Sequence, residues 1–89
     1  MLLEGFKTIT IYDVEKLKEV FLKIFPIDSE LSIDMSSISK VDMVGIQLLI
    51  SLVRSVNESK QSIKFENITQ NVLRQIKESR CGEALGIEV

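Results

Sequence analysis

The sequence predicts an α/β domain, a small sheet of four to five strands covered by helices that alternate with the strands. Three observations lead there. The chain has 89 residues, 45% hydrophobic and 27% charged, which is the size and composition of one globular domain and too apolar for disorder. Its apolar residues switch repeatedly between a period of two and a period near 3.6, the marks of strands and of amphipathic helices. The segments between those stretches are short, and such alternation folds most simply as helices laid over a sheet through right-handed crossovers. No Gly/Ser linker, low-complexity stretch or internal repeat interrupts residues 1–89, which read as a single domain. At this length only about 60 to 65% of the unfolded surface is buried on folding, so a partner's contribution to stability is expected.

The first strand covers Phe6 to Ile9, with a start as early as Leu2 left open, because β-branched and aromatic residues alternate there with polar ones. Thr10-Ile11-Tyr12-Asp13 then has the form of a capping box, in which the hydroxyl serves an amide of the first helical turn and the carboxylate returns the bond. The helix that follows, from about Tyr12 to Phe25, carries Val14, Leu17, Val20, Phe21, Ile24 and Phe25 on one stripe and Glu15, Lys16, Glu19 and Lys23 on the other. Leu22 falls outside the stripe, either as a scattered exposed leucine or as the edge of a contact surface. Pro26, the only proline, stands with Ile27 to Glu30 in the longest loop.

Leu31, Ile33 and Met35 alternate with polar neighbours and form the central strand candidate. Ser36 to Lys40 reads as a polar turn, and Val41-Asp42 leads into the second helix with Asp42 as its N-cap. On that helix Gly45, Leu49, Leu52, Val53 and Val56 define the core side, while Gln47, Ser51, Arg54, Ser55 and Glu58 define the wet side. Met43, Ile46 and Ile50 lie between the two, as partly buried residues or as a binding patch. A third strand centres on Ile63-Lys64-Phe65, and Asn67-Ile68-Thr69-Gln70 caps a third helix with Val72, Leu73 and Ile76 on one face. Ser79-Arg80-Cys81-Gly82 ends that helix, and Leu85 to Val89 is expected to add a short edge strand.

The inventory of reactive groups is narrow. There is no histidine and no tryptophan, which removes the commonest general base, the commonest zinc ligand and every Ser-His or Cys-His pair. Gly5, Gly45, Gly82 and Gly86 are isolated, so no glycine-rich phosphate loop exists. Asp34 and Asp42 are the two carboxylates that a small magnesium or nucleotide site would use; the simpler reading makes Asp34 a turn residue and Asp42 a helix cap. Eleven basic residues against thirteen acidic ones give a net charge of -2 with no basic run, which is no footprint for nucleic acid. The most apolar segment, Val44 to Val56, is interrupted by Gln47, Ser51, Arg54 and Ser55, which suits a core helix and not membrane insertion. Cys81 is alone, and Met1-Leu2-Leu3 runs straight into Glu4, so a reducing, cytoplasmic setting is expected.

The stretch from Leu31-Ser32-Ile33-Asp34-Met35-Ser36 through Val41-Asp42-Met43-Val44-Gly45-Ile46-Gln47-Leu48-Leu49 resembles the signature of STAS domains, the sulfate-transporter and anti-sigma-factor-antagonist modules. Their usual pattern is a strand V-x-L-D-L-S, a short spacer, and D-S/T-x-G-L-x-x-L-L at the start of a helix. Thr10-Ile11-Tyr12-Asp13 is similar to the T-I-Y-N segment of many bacterial single-domain members, and the likeness covers nearly the whole chain. It implies the STAS fold and a non-enzymatic regulatory module without cofactor or metal, which docks on a protein such as a GHKL-type anti-sigma kinase. In the family that docking is switched by phosphorylation of the Ser or Thr after the motif aspartate, where a dianion at a helix N-terminus changes the charge of the docking surface.

Here Asp42 and Gly45 match, but the phosphoacceptor position holds Met43 and the next holds Val44. Methionine is flexible and polarizable, suited to a partner surface, and cannot be phosphorylated. The expected docking surface is Asp42, Met43, Val44, Ile46, Gln47 and Ile50, with Ser36, Ser37 and Ser39 as weak alternative acceptors in the preceding loop. An alternative reading places the chain as the STAS subunit of a lipid-transport ATP-binding-cassette complex, with the same helix against the ATPase. A third, from a different class, is an acidic metal or nucleotide sensor built on Asp34 and Asp42. Typical members carry a further strand before the first helix and a further helix after the last strand, so the sheet is expected to be reduced here, with an open edge that favours a homodimer.

Overall fold

A computed structural model describes Leu3, residues 5–24 and residues 30–87. Along them run β1 (Thr8–Ile9), α1 (Val14–Ile24), β2 (Leu31–Asp34), β3 (Lys40–Val41), α2 (Met43–Glu58), β4 (Ile63–Glu66), α3 (Gln70–Ser79) and α4 (Gly82–Leu85). The expected alternation is present, with two corrections to the strands. Among the described residues the strands form two separate parallel pairs instead of one sheet of four to five: β1 with β3, and β2 with β4. In the first pair Thr8 lies opposite Lys40 and Ile9 opposite Val41. In the second, Leu31 to Asp34 run beside Ile63 to Glu66. Strand β3 takes Lys40, the last residue of the segment read as a polar turn, and Val41, read as the lead into α2; only two residues long, it is too short to show any alternation.

Parallel strands must be covered, and the burial follows that rule. Ile9, Val41 and Ile33 are buried beneath Leu17 and Phe21 of α1, Leu49, Leu52, Val53 and Val56 of α2, and Val72 and Ile76 of α3. The core side read for α2 is therefore right, but it is wider than the wheel suggested, since Ile46 and Ile50 are also buried. The cause is tertiary: α2 touches α1, β4 and α4, so neighbours cover it on several sides. Leu22 is 75% exposed. Ile24 begins a stretch whose side chains, with Pro26 and its loop, lie outside the described residues.

The second correction is at the end of the chain. Leu85, expected in an edge strand, closes the short helix α4 and is buried. Gly86 takes a left-handed conformation with φ 71°, and the amide of Ile87 donates to the carbonyl of Gly82 at 2.8 Å, a closure that turns the backbone out of strand geometry. Glu88 and Val89 lie outside the described residues. Helix α3 stops as expected, with Arg80 left-handed at its C-cap. Its N-cap residue is Thr69, but the hydroxyl leaves the helix and donates to the Ile38 carbonyl at 2.9 Å, tying α3 to the segment before β3.

One glycine sets the distance between α2 and β1. A Cβ on Gly45 would stand 1.8 Å from the carbonyl oxygen of Ile9 and 2.6 Å from its carbon, both backbone atoms that cannot rotate away. Gly45→Ala is accordingly expected to push α2 off β1 and cost about 3 kcal/mol or more. Thermal and urea unfolding of the variant would check this; an unchanged midpoint would mean that the close approach is not required.

Candidate functional site

The start of α2 and the turn between β1 and α1 are joined by one carboxylate. Asp42 is extended, as an N-cap must be, and its Oδ1 accepts from the Gly45 amide at 2.7 Å. Its Oδ2 accepts from the amide of Ile11 at 2.9 Å, across the chain. The Asp42 amide in turn donates to the Ile9 carbonyl at 3.2 Å, continuing the β1–β3 ladder. The residue thus caps one helix and fixes the turn that leads into another, with both carboxylate oxygens in use.

That turn is organised from within by Asp13. Its Oδ2 accepts from the Thr8 hydroxyl at 2.7 Å, the Thr10 hydroxyl at 2.8 Å and the Thr10 amide at 2.9 Å. The Tyr12 amide donates to the Thr10 oxygen at 3.3 Å, so the reciprocal bonds of the capping box are present, with Thr8 as an added donor, but in a turn just ahead of α1, which starts at Val14 and not near Tyr12. The Thr8 hydroxyl is the main reason that the Asp13 carboxyl is held below its ordinary range; Thr10 and the charge of Lys16 act the same way, against a desolvation that opposes them. Three donors aimed at the carboxylate stabilise its charged form.

What these bonds leave outside is apolar. Among the described residues five large hydrophobic side chains are exposed, and four of them flank the Asp42 bridge: Ile11 (57%), Tyr12 (92%), Met43 (50%) and Val44 (42%). Gln47 is exposed one turn along α2. Of the residues expected at a docking surface, Met43, Val44 and Gln47 are exposed and Asp42 is half-buried; Ile46 and Ile50, at 2% and 7% exposure, point into the core. Ile11 and Tyr12, which the sequence reading did not single out for a surface, are exposed beside Met43 and Val44. A signal was available, because the two middle positions of a capping box face outward and both hold apolar residues here.

The remaining candidates lie elsewhere. Asp34 accepts from the Ser36 amide at 2.8 Å, as a turn residue does, and that bond is the first cause of its lowered pKa, followed by the Ser36 hydroxyl. Asp34 sits on the β2–β4 ladder and Asp42 at the end of the β1–β3 ladder, each engaged with its own amides. Among the described residues no three acidic or cysteine side chains are grouped to hold a metal. Ser37 and Ser39 donate to the carbonyls of Leu3 and Lys7. No described helix is long and apolar enough to cross a membrane.

An α/β domain with a D-x-x-G joint at the start of its central helix defines the class, and comparison with known proteins agrees. The family model for the STAS domain of the Mlab type matches residues 8–86; the chain belongs to the STAS family. It is similar in fold to the murine Solute Carrier 26 family member A9 anion transporter, at TM-score 0.76 and 24% identity over 84% of this chain, of which it spans only 13%. It is similar also to a sulfate transporter family protein from Wolinella succinogenes, at TM-score 0.78 and 16% identity over 96% of this chain and 70% of that one. No curated protein sequence matches the chain.

Two outcomes follow for the joint. Asp42→Ala, which strands two amides, should destabilise by about 2 kcal/mol, read from urea unfolding with an unchanged slope. Asp13→Asn should cost about 1 kcal/mol at neutral pH. Because the folded pKa of Asp13 is lowered, its contribution is complete above the unfolded value of about 3.9 and is lost as pH falls through the folded one. The stability gap between Asp13→Asn and the parent should therefore close on acidification below pH ~4, and a gap independent of pH would contradict it.

Proposed function

We propose that the chain is a non-enzymatic docking module that binds another protein through the start of α2, with Asp42, Met43, Val44 and Gln47 at the contact. The observation that carries this reading is the exposed apolar group held rigidly around the Asp42 bridge. A patch fixed by backbone hydrogen bonds loses little freedom on binding, so more of its contact energy appears as affinity. Both oxygens of Asp42 are occupied by amides, and the side chains around it, Ile11, Tyr12, Met43 and Val44, offer mainly apolar surface to a partner.

The partner we infer is the ATPase subunit of a lipid-transport ATP-binding-cassette complex, on the cytoplasmic side of the membrane. The match to the Mlab-type model supports it. A second reading, an antagonist-type module docking on a GHKL-type kinase, is favoured by the D-x-x-G joint and the Thr10-Ile11-Tyr12-Asp13 segment. In either case Met43 stands where the family's phosphoacceptor would be, so the docking is not switched by a phosphate at that position. Self-association is compatible with both readings and would appear as a dimer in sedimentation.

The test uses the purified ATPase subunit and the purified kinase from the same organism as probes. Met43→Asp places a charge on the patch without touching the core, and should weaken binding to the true partner at least about tenfold while leaving the melting temperature unchanged. Full binding by the variant, or no binding of the parent chain to either probe, overturns the reading.

A further inference from the structure

The fifth exposed hydrophobic residue, Leu22, is not isolated. It stands on the rim of an open groove of about 270 Å³ between α1 and α2, whose apolar walls are Phe21, Leu22, Leu48 and Leu52. Ser51 and Ser55 complete the α2 side, and Lys18 is the one charged group among the described lining residues. The groove is small for a drug-sized ligand, which takes ~300–1,000 Å³, but suits a few inserted side chains.

Its direction follows from the contacts. Ile11, just ahead of α1, meets Asp42 at the start of α2, and Phe21 and Leu22 further along α1 line the groove with Leu48 and Leu52 further along α2. The two helices therefore run the same way, and the groove leads out of the Ile11, Tyr12, Met43 and Val44 patch. On α2 the same strip passes from Val44 through Leu48 to Ser51 and Ser55, a rise of about 16 Å. That is the length of roughly three helical turns.

We propose that this strip seats an amphipathic helix of the docking partner, about three turns long, with apolar anchors in the groove and an acidic side chain facing Lys18. The inference rests on the docking reading above and extends it to the kind of element bound. Continuity with the patch and the single positive charge in an apolar trough select this occupant: a helix presents anchors at i, i+3, i+4 and i+7 to a trough of this kind, and a carboxylate beside them pairs with Lys18. Small serines on the α2 side leave room for its approach.

The experiment measures binding of Leu22→Glu, Ser51→Arg and Lys18→Glu to whichever of the two purified probes the parent chain binds, beside Met43→Asp, with hydrogen exchange mapped on the probe in the parent complex. All three altered residues are exposed, so the fold should persist, and circular dichroism melting checks this. Each groove variant is expected to lose at least fivefold in affinity. Lys18→Glu should also flatten the salt dependence, and exchange should slow in one amphipathic helix of the probe. If the groove variants bind as the parent does while Met43→Asp does not, the helix seat is wrong and the docking reading stands. If Met43→Asp binds fully, or neither probe binds the parent chain, both fall. Protection confined to a loop or strand of the probe overturns the helix.

Discussion

The structure turns on how closely α2 can approach β1. Helix α2 is the central one, touching α1, β4 and α4, so its placement fixes the others. That placement is determined at its first turn, where Gly45 lies against the Ile9 backbone with no room for a Cβ and Asp42 ties the turn to the amides of Gly45 and Ile11. A helix N-terminus carries unpaired amides and a partial positive charge, and a carboxylate cap answers both. Here the same cap answers an amide outside the helix as well. The strand, the cap and the close approach form one joint, and each part depends on the other two.

That joint also decides what is exposed. The polar atoms of the β1–α1 turn point inward, towards Asp13 and Asp42, so the side chains left to face solvent are those of Ile11 and Tyr12. At the start of α2 the same economy turns Met43 and Val44 outward, because Gly45 and Ile46 are needed against the core. A small domain gains little by leaving such groups in water, and contiguous apolar surface on a folded domain is the ordinary mark of an interaction site. The two carboxylates weighed in the sequence as an acidic site both accept hydrogen bonds from backbone amides, Asp34 in its turn and Asp42 in its cap.

Much of the fold was legible because it depends on local rules. The period of α1 and α2, the alternation around Ile33, the capping box at Thr10 and the cap at Asp42 are all set by residues within a turn or two of one another. Helix α2 was legible through its D-x-x-G pattern, whose two named residues are the ones with a physical task. Less legible were β3, too short to carry a pattern, and α4, where Leu85 and Ile87 alternate like a strand while Gly82 and Gly86 permit a tight helical closure.

By itself, then, the sequence determined three helices and three strands in their order, the family, and the identity of the residue that caps α2, since each depends on neighbours along the chain. Only the tertiary structure decided that Ile46 and Ile50 are buried while Ile11 and Tyr12 are exposed, and that the strands pair as two ladders. Burial is a property of what covers a residue, and the covering segments lie far away in sequence: Ile11 meets Asp42 across 31 positions. A helical wheel has no information about a second neighbour, which is why the apolar shoulder of α2 read as partly buried, with a binding patch left as the alternative.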